Sequence, residues 1–153
     1  MTEPRFRLLD REDPSVLQAH ALAARTMHGF RSLLDRLPNG TGLAKLSFKD
    51  PDLSEERGKD FIFFLWLTDV VYHSEGRVFS GTFFEVPDGF EKWHAVGSRL
   101  AFDDEDVFDW MVIDDGVAYG GFTIRLHRMR LAEEERAEYD EYMGVTSYAD
   151  EIE

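Results

Sequence analysis

The sequence predicts an α+β domain in which helices flank five or six mainly antiparallel strands. Apolar residues recur every three or four positions from Val16 to Leu37, which is typical of one face of a helix. Asp115-Gly116 stands between two runs rich in Val, Ile and Tyr, which is a strong hairpin signal. We therefore expect an N-terminal helix packed on a curved, partly barrel-like sheet, followed by a C-terminal acidic helix.

The N-terminal helix has clear start and stop signals. Asp13-Pro14 suits a helix start, because Asp can cap the first turn. Pro is tolerated at the first helical position, since the N–H group that it lacks would have no partner within the helix. Gly29 lies in the middle of the pattern and weakens it. Pro38-Asn39-Gly40 ends it. We expect one bent helix or two short ones.

The middle of the chain reads as strands and turns. Residues 43–48 alternate as a half-buried strand does, and the polar stretch 49–60 predicts a surface loop. The run from Phe61 to Leu67 is apolar on both faces, so it predicts a central strand. Its continuation to His73 leads through a turn into a second strand, and these two form a hairpin. A short strand is predicted at residues 98–102.

The acidic run Asp103–Asp106 is expected to cap a helical turn at Val107-Phe108. The hairpin that follows is expected to extend its second strand to about Met129, with Gly120-Gly121 as a point of curvature or close approach. In that hairpin Asp109 and Arg125 would lie on facing strands and could form a pair.

The last segment predicts a helix over residues 130–143, with three Glu in its first turn and Gly144 just beyond its end. The tail carries Val145, Tyr148 and Ile152, so we expect it to dock against the domain.

Composition limits the function. The 153 residues suit a single domain, and the absence of Cys excludes disulfides and thiol chemistry. Neither a signal peptide nor a membrane-spanning run is visible, which predicts a cytoplasmic protein. The net charge of −14 argues against binding nucleic acid or anionic membranes, and residues 132–153 hold nine acidic residues and one basic residue. A protein partner, itself basic, fits this charge.

Catalytic and metal-binding patterns are missing. No Gly-x-Ser-x-Gly elbow or phosphate-binding Gly loop occurs, and the five His, at 20, 28, 73, 94 and 127, lack metal-ligand spacing. The acidic run fails as a calcium loop, because Phe108 stands where Gly is needed. The sequence predicts no catalytic residue, cofactor or metal.

The leading hypothesis is a non-enzymatic binding module, of which an immunity or inhibitor protein would be one form. Candidate contact residues are aromatic or charged residues of the two hairpins: Trp66, Asp69, Asp109, Trp110, Tyr119 and Arg125. One alternative is a small-substrate enzyme that uses Asp69, Asp109 and His73 or His94 as acid and base. Another is a nucleic-acid mimic, whose acids in 103–115 and 133–141 would form one stripe.

Several segments together resemble the bacterial domain of unknown function 2314: Leu65–Val70, Phe79–Thr82, Gly97–Phe102, Asp109-Trp110-Met111, Asp115-Gly116, Gly120–Arg125 and the helical Ala24–Met27 with Phe30 and Leu33-Leu34. The resemblance covers about residues 16–130. It implies a fold and no reaction, because that family has no established activity. Two positions depart from it: Phe63-Phe64 stands where members often have Glu-His, and Val86-Pro87 where they often have Asn-Pro.

Overall fold

The computed structural model describes residues 13–59, 62–87 and 89–150. Phe61 and Ile152, which the sequence places in a strand and in a docking tail, lie outside these ranges. The described part contains five α-helices: α1 (Pro14–Arg25), α2 (Met27–Arg36), α3 (Pro51–Arg57), α4 (Phe122–Met129) and α5 (Glu133–Met143). Its strands are β1 (Thr41–Lys49), β2 (Ile62–His73), β3 (Val78–Phe83), β4 (Arg99–Phe102), β5 (Val107–Asp114), β6 (Val117–Gly120) and β7 (Ser147–Tyr148).

The seven strands form one open sheet in the order β4-β3-β2-β1-β5-β6-β7. All neighbours are antiparallel except β6 and β7. The α+β class and the antiparallel sheet are therefore confirmed. The strand number exceeds the expected five or six, and the linear strand order does not show the expected partial barrel. In the described chain β4 and β7 are the two edges.

The N-terminal helix is split, as one of the two expected forms, but at Thr26 rather than at Gly29. The Asp13 carboxylate accepts a hydrogen bond from the Ser15 N–H at 2.9 Å and so caps α1 as predicted. The Thr26 hydroxyl donates to the carbonyl of Leu22 at 2.8 Å. A side chain that competes for the helix's own carbonyls is a recognised cause of a bend.

The prediction of a loop over residues 49–60 is wrong, because α3 lies there. The Asp50 carboxylate accepts a hydrogen bond from the Leu53 N–H at 3.0 Å, Pro51 opens the helix and Gly58 ends it with φ +73°. These are the usual start and stop signals of a helix. They outweigh the polar composition of the segment.

The second strand of the β5–β6 hairpin ends at Gly120 and does not continue to Met129 as expected. Gly120 and Gly121 both have positive φ, and the chain turns there into α4. The expected helical turn at Val107-Phe108 is likewise wrong. The acidic residues Asp104–Asp106 form a 3-10 turn, and β5 starts directly after it.

Both faces of the sheet carry apolar clusters. On one face α1 and α2 cover a large core that includes Phe30, Phe79 and Trp110. On the other face a smaller cluster includes Trp66, Met111 and Tyr139, so α5 packs there. In the described chain, no helix covers the part of this second face that β2, β3 and β4 form. One side of α5 therefore borders an open surface of the sheet.

Among the described residues, no helix combines the length and the apolar character needed to cross a bilayer.

Candidate functional site

An apolar groove lies between α5 and the second face of the sheet. Its cavity volume is about 220 Å³. Its floor is formed by the strand residues Leu43, Trp66, Met111 and Ile113. All nine of its lining residues are apolar or aromatic.

The residues that line this groove follow from the periodicities of strand and helix. Register pairs Leu43 with Met111 across β1 and β5, so both side chains point to the same face. On α5, Tyr139, Tyr142 and Met143 are three and four residues apart, which places them on one side of the helix. The groove is thus the seam where a helix face meets a sheet face.

The rim of the groove is partly exposed. Tyr142 is 44% exposed and Phe84, which also lines the groove, is 36% exposed. Glu138 and Glu141 are exposed on the same helix but do not line the groove, since helical spacing turns them about 100° and 160° away from Tyr139. Their charge would favour a partner that carries positive charge as well as an apolar group.

A buried polar cluster lies on the same face of the sheet. Lys45 is a register partner of Asp109, and both are buried, Asp109 completely. Lys45 Nζ donates to Thr123 Oγ1 at 2.9 Å, and that hydroxyl donates to Asp109 Oδ2 at 2.6 Å. The carboxylate also accepts the backbone N–H groups of Trp110, Phe122 and Thr123. Asp109 therefore caps the start of α4.

Burial shifts the acidity of both charged members of this cluster. It lowers the pKa of Lys45 to about 8, and the nearby Asp109 charge opposes this shift. Burial raises the pKa of Asp109, against the opposing effects of Lys45 and of the hydrogen bonds from Thr123 and Phe122. Since the donors and acceptors are mutually satisfied, we regard the cluster as structural.

Aromatic rings surround the Lys45 ammonium. It lies 5.4 Å from the ring centroid of Trp66 and 6.0 Å from those of Phe64 and Phe108. These distances are within the range of cation–π attraction. Trp66 thus contacts both the charged cluster and the apolar groove, and it links the two parts of this face.

The open part of the same face carries a polar network. Arg99 donates to the hydroxyls of Thr82 and Ser80 and to the carbonyl of Asp69. His73 Nε2 lies 2.9 Å from Ser80 Oγ. Asp69 stands at an irregularity of β2 with φ +51°. This network is exposed.

The six predicted contact residues are spread over the molecule. Trp66 lines the groove, and Asp69 lies on the open part of the sheet. Trp110 and Asp109 are fully buried and offer no side-chain surface to a partner. The Trp110 ring stacks on Phe30 with centroids 5.1 Å apart and donates its Nε1–H to Thr26 Oγ1.

Tyr119 is half-buried and packs against the helix-covered core.

The predicted pair of Asp109 with Arg125 is wrong, because Arg125 lies on α4 and not on a facing strand. Its guanidinium donates to the carbonyls of Gly120 at 2.7 Å and Ala149 at 2.8 Å. Lys45 and Thr123 are the partners of Asp109 instead. Arg125 ties the C-terminal segment to β6.

The four residues of the acid–base alternative are not brought together. Across β1, Asp109 is level with Trp66, and Asp69 lies three residues further along β2. The spacings of a sheet then put about 14 Å between the Cα atoms of Asp69 and Asp109. His94 packs on the rings of Phe48, Phe83 and Phe90, on the helix-covered side.

The acids expected to form a stripe are also separated, since Asp103–Asp106 and Asp114-Asp115 lie at opposite ends of β5. In the part of the chain that the structure describes, no three His, Asp or Glu side chains are grouped so that they could hold a metal ion.

Sequence reasoning missed Lys45, Thr123 and the α5 wall of the groove. A Lys at a polar position of an alternating strand gives no signal of its own, because its partners are 64 and 78 positions away in the sequence. The spacing of Tyr139, Tyr142 and Met143 was the one usable signal for the wall, since it marks a helix face.

The fold and the groove define a class: an α+β protein with one open, mostly antiparallel sheet and an apolar groove under its C-terminal helix. The chain belongs to the family described as an uncharacterized protein conserved in bacteria, DUF2314, which matches residues 13–146.

A relative from Neisseria meningitidis serogroup B, provisionally named as an ankyrin repeat protein, is 31% identical over 81 residues. That match covers 53% of this chain, and the chain spans only 31% of the relative's length. No solved structure matches the chain.

Proposed function

We propose that this protein is a non-enzymatic binding module whose groove takes an apolar side chain of a protein partner. The observation that carries the proposal is the groove itself, which is apolar on every side and open at its rim. Its volume of about 220 Å³ is below the usual range of sites for drug-sized ligands, ~300–1,000 Å³. A cavity of this size suits one or two side chains of a peptide segment.

The charge of the chain specifies the partner further. Glu138 and Glu141 are exposed on the helix that forms the groove wall, and the whole chain has a net charge of −14. A segment with an aromatic or aliphatic anchor flanked by Lys or Arg would complement both features. An inhibitor or immunity role is the form this function takes if the segment belongs to the active region of a basic protein.

The Neisseria relative agrees with a role in protein interaction. Its name refers to ankyrin repeats, which stack into extended binding surfaces. On this proposal, both proteins carry the matched segment as an interaction unit. The compartment that we propose for this chain is the cytoplasm.

The experiment is a selection of phage-displayed random peptides on the full chain. We expect the selected peptides to share an apolar anchor next to Lys or Arg, and to bind more weakly to Phe84→Ser and Tyr142→Ser. Leu17→Ser is the matched control, because Leu17 is 51% exposed on α1 and does not line the groove. The proposal is wrong if no sequence is enriched, or if the control weakens binding as much as the rim variants.

The contribution of these carboxylates can be tested with the same peptides. Replacing Glu138 and Glu141 by Gln should slow association and reduce its dependence on salt, because charges outside the buried contact act mainly on encounter. If the association rate and its salt dependence stay unchanged, the segment is not recognised through its basic residues.

A further inference from the structure

We propose that a second pocket, formed by α4, α5 and β7, binds a phosphoryl oxyanion. The pocket has a volume of about 290 Å³ and is lined by Arg125, Arg128, Arg136, Met129 and Tyr148. Three guanidinium groups at one cavity are unexpected in a chain whose net charge is −14. This site does not depend on the apolar groove.

The positive charge of the pocket is only partly neutralised. Arg128 forms a bidentate pair with Asp140, with both N–O distances at 2.8 Å. Arg125 has Asp150 and Asp109 as electrostatic neighbours but donates its hydrogen bonds to carbonyls. Arg136 also donates to carbonyls, those of Arg128 and Met129. Asp109 already has Lys45 as its counter-charge. The three Arg, which stay protonated at physiological pH, therefore exceed the two remaining carboxylates, Asp140 and Asp150.

Each guanidinium group keeps donors for a ligand. Arg125 and Arg136 use Nε and Nη2 for the carbonyls, and Arg128 uses Nε and Nη2 for Asp140. In the described chain the Nη1 groups of all three have no hydrogen-bond acceptor. An N–H group without an acceptor is available to an oxyanion, and a guanidinium presents such groups in the geometry that phosphate oxygens fit.

The guanidinium groups are held in place before any ligand arrives. The centroid of the Tyr148 ring lies 5.3 Å from the Arg125 Cζ and 5.0 Å from the Arg128 Cζ. The Tyr148 hydroxyl donates to Asp140 at 3.0 Å, and this fixes the ring. Donors whose side chains are already ordered lose little conformational entropy on binding. The pocket therefore has the preorganisation that a surface Arg lacks.

The surroundings set the expected affinity. The first turn of α5 carries Glu133, Glu134 and Glu135, all exposed and within one turn of Arg136. Their negative field opposes the approach of an anion. We therefore expect a dissociation constant of about 1 mM for a phosphate dianion, rather than a micromolar value.

The test is isothermal titration of the full chain with inorganic phosphate and, separately, with O-phosphoserine, at constant ionic strength set with chloride. Saturable binding of either compound supports the proposal, and the tighter of the two shows whether the free ion or a monoester is preferred. Absence of saturation up to about 10 mM of both compounds would overturn it.

Variants locate the site. Arg136→Gln should weaken binding about tenfold, which is the loss of one charge-assisted contact. Arg31→Gln is the control, because this substitution also removes one positive charge. Arg31 pairs with Asp104 and does not line the pocket. Equal weakening by both variants means attraction by net charge only, and refutes a built site. Should Arg136→Gln not fold, backbone amide NMR shifts of the wild type decide: they must change at residues 125–136 and 148.

Discussion

Lys45 and Asp109 face each other across β1 and β5, and the hydroxyl of Thr123 joins them by hydrogen bonds of 2.9 and 2.6 Å. The two strands lie at the centre of the sheet, whereas Thr123 is in the first turn of α4. One carboxylate therefore holds the sheet, the β6–α4 connection and a buried ammonium together. We therefore expect the free energy of unfolding to depend on the Lys45 side chain and on the pH at which this side chain titrates.

Removing the ammonium should be costly. Lys45→Met leaves the Asp109 charge buried without its counter-charge, and we expect the free energy of unfolding to fall by about 3–5 kcal/mol. Lys92→Met is the control, since its pair with Asp52 is exposed and should contribute little to stability. Urea unfolding of both variants measures the difference. Similar losses for the two would show that the buried pair does not hold the fold together.

The lowered pKa of Lys45, about 8, gives stability a direction with pH. Between pH 8 and the unfolded value of 10.5, the unfolded state binds more protons at this residue than the folded state does. The contribution of Lys45 to stability should therefore rise as the pH increases through that window. An NMR titration of the Lys45 side-chain signals should show a midpoint near 8. A midpoint near the ordinary value would contradict the burial argument.

Gly120 should tolerate no side chain. A Cβ there would lie 2.6 Å from the Trp110 carbonyl oxygen and 2.7 Å from its ring. Gly58 has almost the same φ, +73° against +76°, but open space around it. We expect Gly58→Ala to cost about 1–2 kcal/mol for the backbone alone, and Gly120→Ala to cost about 1–3 kcal/mol more. Thermal unfolding compares them, and equal costs would rule out the close approach.

Thr26 should matter through its hydroxyl. Thr26→Val keeps the shape of the side chain but leaves the Trp110 Nε1–H, part-buried at 3.1 Å from Oγ1, without an acceptor. A loss of about 1–3 kcal/mol is expected for such an unsatisfied donor. Thr41→Val, at an exposed position of β1, is the control and should change little. Chemical denaturation followed by Trp fluorescence measures the free energy of unfolding of both variants. If Thr26→Val leaves this free energy unchanged, the hydrogen bond from the indole to the hydroxyl does not stabilise the fold.

The sequence predicts features that neighbouring residues determine. The Asp13 cap, the two hairpin turns and the end of the last helix at Gly144 each depend on residues a few positions apart, and the structure has all of them. Gly120 is a point of close approach, as expected. The strand does not continue beyond it to Met129, because a Gly pair fits a curved strand as well as the start of a helix. The Asp109 carboxylate decides between these two structures. It lies on β5 and accepts hydrogen bonds from the first N–H groups of α4.

The candidate site was less accessible to sequence reasoning, because it is assembled from distant segments. The floor of the groove comes from β1, β2 and β5, and its wall from α5. Trp66 was the one predicted contact residue that lies in it. Arg128 and Arg136 had no local pattern that would mark a pocket, since their proximity depends on how α4 turns into α5.

The wall and the floor of the groove differ in how they are held. The floor belongs to strands fixed by backbone hydrogen bonds on both sides, whereas α5 is attached to α4 and the sheet through side chains such as Tyr139 and the Arg128–Asp140 pair. Elements held in this way open with a smaller free energy than the rest of a domain. The groove is therefore adjustable on one side only: its width changes with the position of α5, and a partner's affinity includes the free energy of holding that helix closed.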